Sequence, residues 1–377
     1  MKKINRVFLL LLFLQSIHPQ TVLISEKEFT GADAYELPNI SPENDMFMIM
    51  ASKAYEGTSY LKWKFHNENH TPSRLFTDNK KKKKNRRGRK ISRSILEEYL
   101  AGWLTYDGVQ YLYAVLNDIG SEPIKSTMYS FPIGNQSQEI FEEFQTSSPN
   151  TPNVSKVLND LEGIIISYLN GPFGYHHYVF DDEGVVIPNP TFFELPGPVQ
   201  SISQWKNNDV LILEGQENIY HLWTSNSSGK WKPSRLNISL ADYTIFGSVN
   251  CHPENNNIFS FLASTDDRMK TNKADLCIYN LKTGTVIKKI EVYAPTEPYR
   301  GTKYAQWSRK YNRIYFLRQN DKEHIKSFYF DMESYTILSS GIPDNRIKSF
   351  ALSVKGDILA TIAYPSGGLV RIYSIDD

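Results

Sequence analysis

The sequence predicts an all-β protein, a β-propeller of seven four-stranded blades. Three observations carry that expectation. Aromatic residues reach 13%, with 23 Tyr and 20 Phe, while long amphipathic Ala/Glu/Leu segments are scarce, a mix that favours strands over helices. Short apolar-aromatic runs bounded by turn residues come in pairs at 46–51 and 60–65, 103–106 and 110–116, 163–168 and 175–180, 210–213 and 220–223, 258–263 and 276–281, 313–318 and 327–331, and 358–364 and 369–375. These pairs recur about every 40 to 60 residues, and a period near 45 with four strands per unit selects a propeller among all-β folds. The 377-residue chain also has room, since seven blades at that period need about 300 residues or more. Six or eight blades, or a tandem pair of β-sandwiches, stay open on strand spacing alone.

Taking the chain in order, Lys2, Lys3 and Arg6 precede the apolar run 7–14, which fades through Gln15, Ser16 and Ile17. A positive start followed by a short apolar stretch is the layout of a secretory signal peptide. The run is too short to cross a bilayer, which takes ~20 apolar residues, and no later segment approaches that length. A signal peptide over 1–20 is therefore expected, followed by a single propeller domain over 21–377, secreted or in the secretory lumen. An uncleaved signal anchor and a buried N-terminal strand are the competing readings. A ring usually closes by pairing the two ends of the chain, which hides an edge prone to aggregation. Residues 21–24 or 27–30 are expected to complete the blade begun at 343–377.

Residues 77–92 form a basic loop between the first two blades. Nine cations, Lys80 to Lys84, Arg86, Arg87, Arg89 and Lys90, fall within residues 80–90 with no acidic residue among them. Charges so dense cannot pack together. The run reads as low-complexity insertion, as a contact for anionic glycans or membranes, or as a processing site, since the segment holding Lys84, Arg86, Arg87 and Arg89 is similar to furin-type convertase sites. Nuclear import conflicts with the signal peptide.

The run also corrects the meaning of the net charge, which is +1 from 42 Lys+Arg against 41 Asp+Glu. Without the three cations of the leader and the nine of the loop, 30 cations face 41 anions, so the body carries −11. A general nucleic-acid binder is excluded on that ground, because phosphate affinity needs positive charge over the docking face.

Asn135, Asn153, Asn226 and Asn237 head the expected glycosylation sites among six Asn-x-Ser/Thr sequons; Asn39 and Asn69 rank lower, because a proline follows each acceptor. Cys251 and Cys277, the only two cysteines, lie 26 residues apart, and a disulfide between neighbouring strands is one reading of them. No metal site is expected, because the two cysteines are isolated and no His cluster lies near them beyond His252. His176 and His177 are read as strand or loop residues, since adjacent strand residues point to opposite faces.

The repeat is clearest over 243–377. Ser248-Val-Asn-Cys-His-Pro-Glu-Asn-Asn-Asn-Ile, Ala305-Gln-Trp-Ser-Arg-Lys-Tyr-Asn-Arg and Phe350-Ala-Leu-Ser-Val-Lys-Gly-Asp-Ile each open a unit, and Asn280, Asp331 and Asp376 each close a third strand. These units resemble WD40-like repeats, especially the looser type of TolB-like and dipeptidyl-peptidase-IV-like propellers. Trp307-Ser308 and Asn280-Leu-Lys-Thr-Gly284 match that pattern best, while the Gly-His and Trp-Asp dipeptides of strict WD40 blades are missing. The resemblance implies a fold and no activity.

Catalytic motifs do not appear. There is no Gly-x-Ser-x-Gly elbow, P-loop, dinucleotide fingerprint or His-Glu-x-x-His, and no cofactor is expected. Ser225-Asn-Ser-Ser-Gly-Lys-Trp231 is similar to the Asp-box turn of sialidases, but Ser227 stands where Asp belongs, which favours a plain hairpin. The expected function is a protein- or glycan-binding module with its face at one end of the ring. The alternative is a carbohydrate-active hydrolase using two carboxylates in the channel; its acidic clusters, Asp181, Asp182, Glu183, Asp266 and Asp267, fall in turn-like stretches.

Overall fold

The computed structural model describes residues 20–28, the strands given below as far as residue 234 with residues 64–65, 179 and 195 beside them, and residues 244–264, 273–294, 305–319, 324–353, 355–363 and 369–376. These residues form seven antiparallel sheets of four strands each. In chain order, β1 (Gln20–Glu28) is followed by the sheet of β2 (Glu36–Ile40), β3 (Phe47–Lys53), β4 (Gly57–Trp63) and β5 (Ser73–Arg74). Next come β6 (Leu96–Tyr106), β7 (Val109–Asp118), β8 (Lys125–Ile133) and β9 (Glu143–Thr146), then β10 (Pro152–Leu158), β11 (Gly163–Tyr168), β12 (Gly174–Tyr178) and β13 (Thr191–Glu194). The fourth sheet holds β14 (Val199–Trp205), β15 (Asp209–Gln216), β16 (Ile219–Ser225) and β17 (Trp231–Ser234). The fifth holds β18 (Thr244–Cys251), β19 (Ile258–Ser264), β20 (Lys273–Asn280) and β21 (Thr285–Tyr293). The sixth holds β22 (Ala305–Ser308), β23 (Arg313–Gln319), β24 (Ile325–Asp331) and β25 (Thr336–Ser339). The last three strands, β26 (Ile347–Leu352), β27 (Ile358–Ala363) and β28 (Leu369–Asp376), are completed by β1, which pairs with β28.

From the second sheet on, the first strand of a sheet meets the first strand of the next, β6 with β10 and so on through β22 with β26; β26 returns to β2, and β4 of the first sheet meets β6. That order is a β-propeller closed by its own N-terminal strand. The closing strand takes in the first expected segment and the start of the second, in the register Thr21↔Ile375 to Glu28↔Leu369 with a bulge after Leu23.

Burial explains the strand text. Middle strands are covered on both faces by neighbouring sheets, so β19 and β27 are buried at every residue and read as apolar runs broken only by the small polar Ser260, Ser264 and Thr361. Outermost strands are half solvated, as in the mixed pattern of β21 and the exposed ends of β25. Apolar clusters fill the gaps between sheets. Ile278 and Ile290 meet Trp307 and Phe316 across one gap, and Tyr315 and Tyr329 meet Phe350 and Tyr373 across the next. The cluster that seals the ring joins Ile40, Trp63 and Phe65 of the first sheet to Ala360, Ile362 and Ile372 of the last.

The disulfide reading of Cys251 and Cys277 is corrected: the two form no disulfide. Cys251 pairs with Phe259 of β19, and Phe261 of the same strand pairs with Cys277. One whole strand therefore stands between the two cysteines, a separation of two strand spacings or ~9–10 Å, beyond the ~7 Å reach of a disulfide. Cys277 is fully buried, and burial pushes its thiol up to about 12. Only the thiolate reacts, so iodoacetamide at pH 8 should leave Cys277 unlabelled in the native protein and label it in 6 M guanidinium. Rapid native labelling of Cys277 would contradict its burial.

Candidate functional site

Each four-stranded sheet puts its first and third turns at the same end, because alternate strands run in the same direction. The described C-terminal sheets build that end by one repeated device. A polar side chain closing the first strand turns back and caps the loop's own backbone. Ser353 Oγ accepts from the amides of Gly356, Asp357 and Ile358 at 3.1 to 3.2 Å. Ser308 Oγ accepts from Tyr311 N at 3.2 Å. At the corresponding place in the fifth sheet stands His252, whose Nδ1 accepts from Glu254 N at 3.1 Å and Asn255 N at 2.9 Å. The correspondence is fixed by backbone pairing, since His252 N donates to Ile258 O as Ser353 N donates to Ile358 O.

The third turns repeat as well. Asn280 Oδ1 accepts from the amides of Lys282 and Thr283, and Asp331 Oδ1 from those of Glu333 and Ser334. The backbone then takes positive φ at Gly284 (69°) and at Tyr335 (57°). Glycine accepts that conformation freely, and the same turn carries a tyrosine one sheet later. Burial alone raises the Asp331 carboxyl, but the Ser334, Glu333 and Arg313 bonds hold it below its ordinary value.

One substitution in this repeat opens a site. Between the sixth sheet and the last, the first-strand turns touch directly: Ser308 Oγ donates to Gly356 O at 3.2 Å, and Lys310 N to Lys355 O at 3.0 Å. Gly356, at φ 88°, leaves no space there, for a Cβ would lie 2.1 Å from Ser308 Oγ. Between the fifth and sixth sheets the turns are instead bridged by a side chain, with His252 Nε2 and Asn312 Oδ1 at 2.7 Å. The turn after His252 is also one residue longer, with five residues (253–257) before the next strand against four (309–312 and 354–357) in its counterparts. The result is a pocket of about 620 Å³ lined by His252, residues 254–257, Ile258, Asn312 and Met332.

Geometry fixes the imidazole. Nδ1 is occupied as an acceptor of two amides, so the proton sits on Nε2, which donates to Asn312 Oδ1. The ring lies 4.7 Å from that of Trp307, whose Nε1 donates to Asn250 O at 3.1 Å. Asn250 Nδ2 in turn donates to Ala305 O at 3.1 Å. Burial pushes His252 below the ordinary histidine value, against the opposing pull of the Asn312 bond and the Glu254 charge. Its folded value thus lies below its unfolded one. The contribution to stability is complete above about pH 6.5 and is lost as pH falls below that, because the unfolded chain takes up the proton first. Chemical denaturation should show wild type losing stability between pH 7 and pH 5, by at most about 1.4 kcal/mol per pH unit from this group, beyond any loss in His252→Asn. Parallel pH profiles for the two proteins would contradict it.

The closing blade carries a second polar network. Asp344, between β25 and β26, is buried and accepts from Thr361 Oγ1 at 2.8 Å, Tyr373 OH at 3.0 Å and Arg371 Nη1. Arg371 faces Glu26 across the β1–β28 pair and binds its carboxylate. Burial, reinforced by the Asp344 charge, raises the Tyr373 phenol, which keeps it a donor. This network fastens β1 to the ring.

Other expected positions fall elsewhere. Asn153 is the second residue of β10, at a bulge in its pairing with β11. Asn135, Asn226, Asn237, Lys84, Arg86, Arg87, Arg89, the leader and the acidic clusters at 181–183 and 266–267 lie outside the described residues. His176 and His177 occupy β12 as read, each packing on a different ring, Phe192 at 4.9 Å and Phe193 at 6.4 Å. Among the described residues, no group of three or more His, Cys, Asp or Glu could hold a metal ion, and no helix is long and apolar enough to cross a membrane. The pocket was missed in the sequence. Its signals were the His standing where sister repeats have Ser, and the additional Asn in the turn.

No protein-family model matches the chain, and no curated protein matches it. Among solved structures, a chain in the crystal structure of the mitotic checkpoint complex is similar at 14% identity and a TM-score of 0.54, over 94% of this chain and 95% of that one. TolB from Acinetobacter baumannii is similar at 12% identity and a TM-score of 0.39, over 75% of this chain and 79% of its own. The first likeness, along nearly the whole chain, shows a shared fold. The chain is a β-propeller by its own sheet order, and the likeness agrees with that fold.

Proposed function

We propose that the chain is a binding module of the secretory pathway that engages a protein partner across the propeller end carrying the His252 and Asn312 turns. The observation that carries this reading is the open polar pocket at that end, at a sheet junction whose repeated counterpart is shut by direct turn-to-turn contact. The ring supplies a rigid support, and recognition falls to turns that can vary without disturbing it. A solved structure similar to it along nearly its whole length is that of a complex, which agrees with a propeller serving as one member of an assembly. The pocket holds one carboxylate, Glu254, whereas glycoside hydrolysis uses two, which supports binding rather than hydrolysis at this pocket. Lys2, Lys3 and Arg6 before the apolar run 7–14 support entry into the secretory pathway, where Asn135, Asn153, Asn226 and Asn237 would be glycan acceptors.

The test is affinity capture of the tagged full chain from producing cells and their medium. One partner should be recovered repeatedly with wild type and lost with Glu254→Lys combined with Glu333→Lys, two exposed positions on the turns of this end. Recovery unaffected by the charge reversals would overturn the assignment of the face. The basic run at 80–90 would add a separate contact with anionic glycans; unchanged heparin elution after its deletion would overturn that part.

A further inference from the structure

Within that binding reading, on which this step rests, we infer that the His252–Asn312 pocket is a subsite for a neutral polyhydroxylated ligand, a saccharide unit carried by the partner or free in solution.

The pocket's hydrogen-bonding groups select this class. Asn312 is held by its oxygen, which accepts from His252, so its Nδ2 amide is left over. Asn255 is held in the same way, its Oδ1 accepting from Asn257 N at 3.1 Å. Among the described residues neither Nδ2 has a partner within the protein, and both residues line the pocket. These are donors set by bonds the fold already makes to the other end of each amide. Glu254, exposed at the same wall, supplies an acceptor. A ligand satisfying amide donors and a carboxylate acceptor together must both accept and donate within a few ångström, as vicinal hydroxyl groups do. Each Asn amide has one donor end and one acceptor end, so the pattern does not call for net charge on the ligand. The side chains of Ile258 and Met332, both buried, give the pocket an apolar wall that suits the C–H face of a sugar ring. A phosphate or sulfate ester fits poorly, because Glu254 is the charged side chain of the lining and it repels an anion.

The counterpart junctions give the independent observation. A direct turn-to-turn contact closes the next crevice through Ser308 and Gly356. The longer Asn-rich turn and the His bridge thus depart from the one neighbouring junction of the same build, which packs shut, and they set the two Asn amides around an open volume.

Saturation-transfer NMR on the full-length protein, with free mannose, galactose, glucose and N-acetylglucosamine as probes, tests this directly. At least one sugar should receive transfer from wild type. That signal should fall at least fivefold in Asn255→Asp and in Asn312→Asp, each of which keeps the accepting oxygen and removes the Nδ2 donor, with melting temperatures unchanged. Asn255→Asp lies in an exposed turn and serves if Asn312→Asp fails to fold. No transfer to any of the four sugars, or transfer unchanged in the variants, overturns the inference. A partner captured through this face while all sugars are silent overturns the saccharide assignment and leaves the protein-binding reading standing. Silence in both experiments overturns both.

Discussion

Replacing Asp344 by alanine should destabilise the protein by about 3–5 kcal/mol, measured by urea denaturation. The carboxyl is buried and holds three partners on two strands, Thr361 of β27 with Tyr373 and Arg371 of β28. Without it the Thr361 and Tyr373 hydroxyls stay buried with no acceptor, and Arg371 keeps only Glu26, at the rim. Glu26→Gln should cost roughly 1 kcal/mol or less, because the Glu26 side chain is 45% exposed and water replaces what it loses. The contrast is the informative part. Equal small losses from both variants would mean that the network does not fasten the closing blade.

Trp307→Ala should cost about 3–5 kcal/mol, and it reports on the pocket as well as the core. Trp307 is 9% exposed, packs in the cluster between the fifth and sixth sheets, bonds Asn250 O, and supports the His252 ring. Truncation leaves a cavity and removes the indole bond to the Asn250 carbonyl at the junction that carries the pocket. Trp307→Phe restores much of the volume without the N–H, and should recover about half of the loss. Thermal melts of the three proteins decide it. A Trp307→Ala melting temperature within ~1 °C of wild type, worth about 0.8 kcal/mol or less for a chain this size, would mean the two sheets do not depend on this contact.

Much of the fold was legible because a blade's middle strands must be apolar on both faces. Six of the seven sequence pairs fall on the second and third strands of a sheet. The pair at 103–106 and 110–116 is one strand out of phase, falling on β6 and β7. In that sheet the first strand is long and aromatic, through Tyr99, Leu100, Trp103 and Leu104, whereas β8 mixes Lys125, Ser126, Thr127 and Ser130 into its run and hides from a search for apolar stretches. Outermost strands were illegible for a related reason: β13 is exposed at three of its four residues and carries little pattern beyond length. The closing strand was expected near its true place, since an open edge at β28 demanded a partner. The site was the least legible part. His252 and Asn312 are 60 residues apart, and their meeting follows from the stacking of two sheets that no local pattern encodes. The disulfide expectation failed because nearness in sequence said nothing of the intervening strand β19.

Hydrogen exchange followed by mass spectrometry on the full-length protein tests the closed ring most directly. The amides of residues 20–28 pair with β28, so that segment should be protected together with residues 369–376. Both should lose protection together in Asp344→Ala. Exchange of residues 20–28 at the rate of an unstructured peptide, with 369–376 still protected, would contradict closure of the propeller by its N-terminal strand.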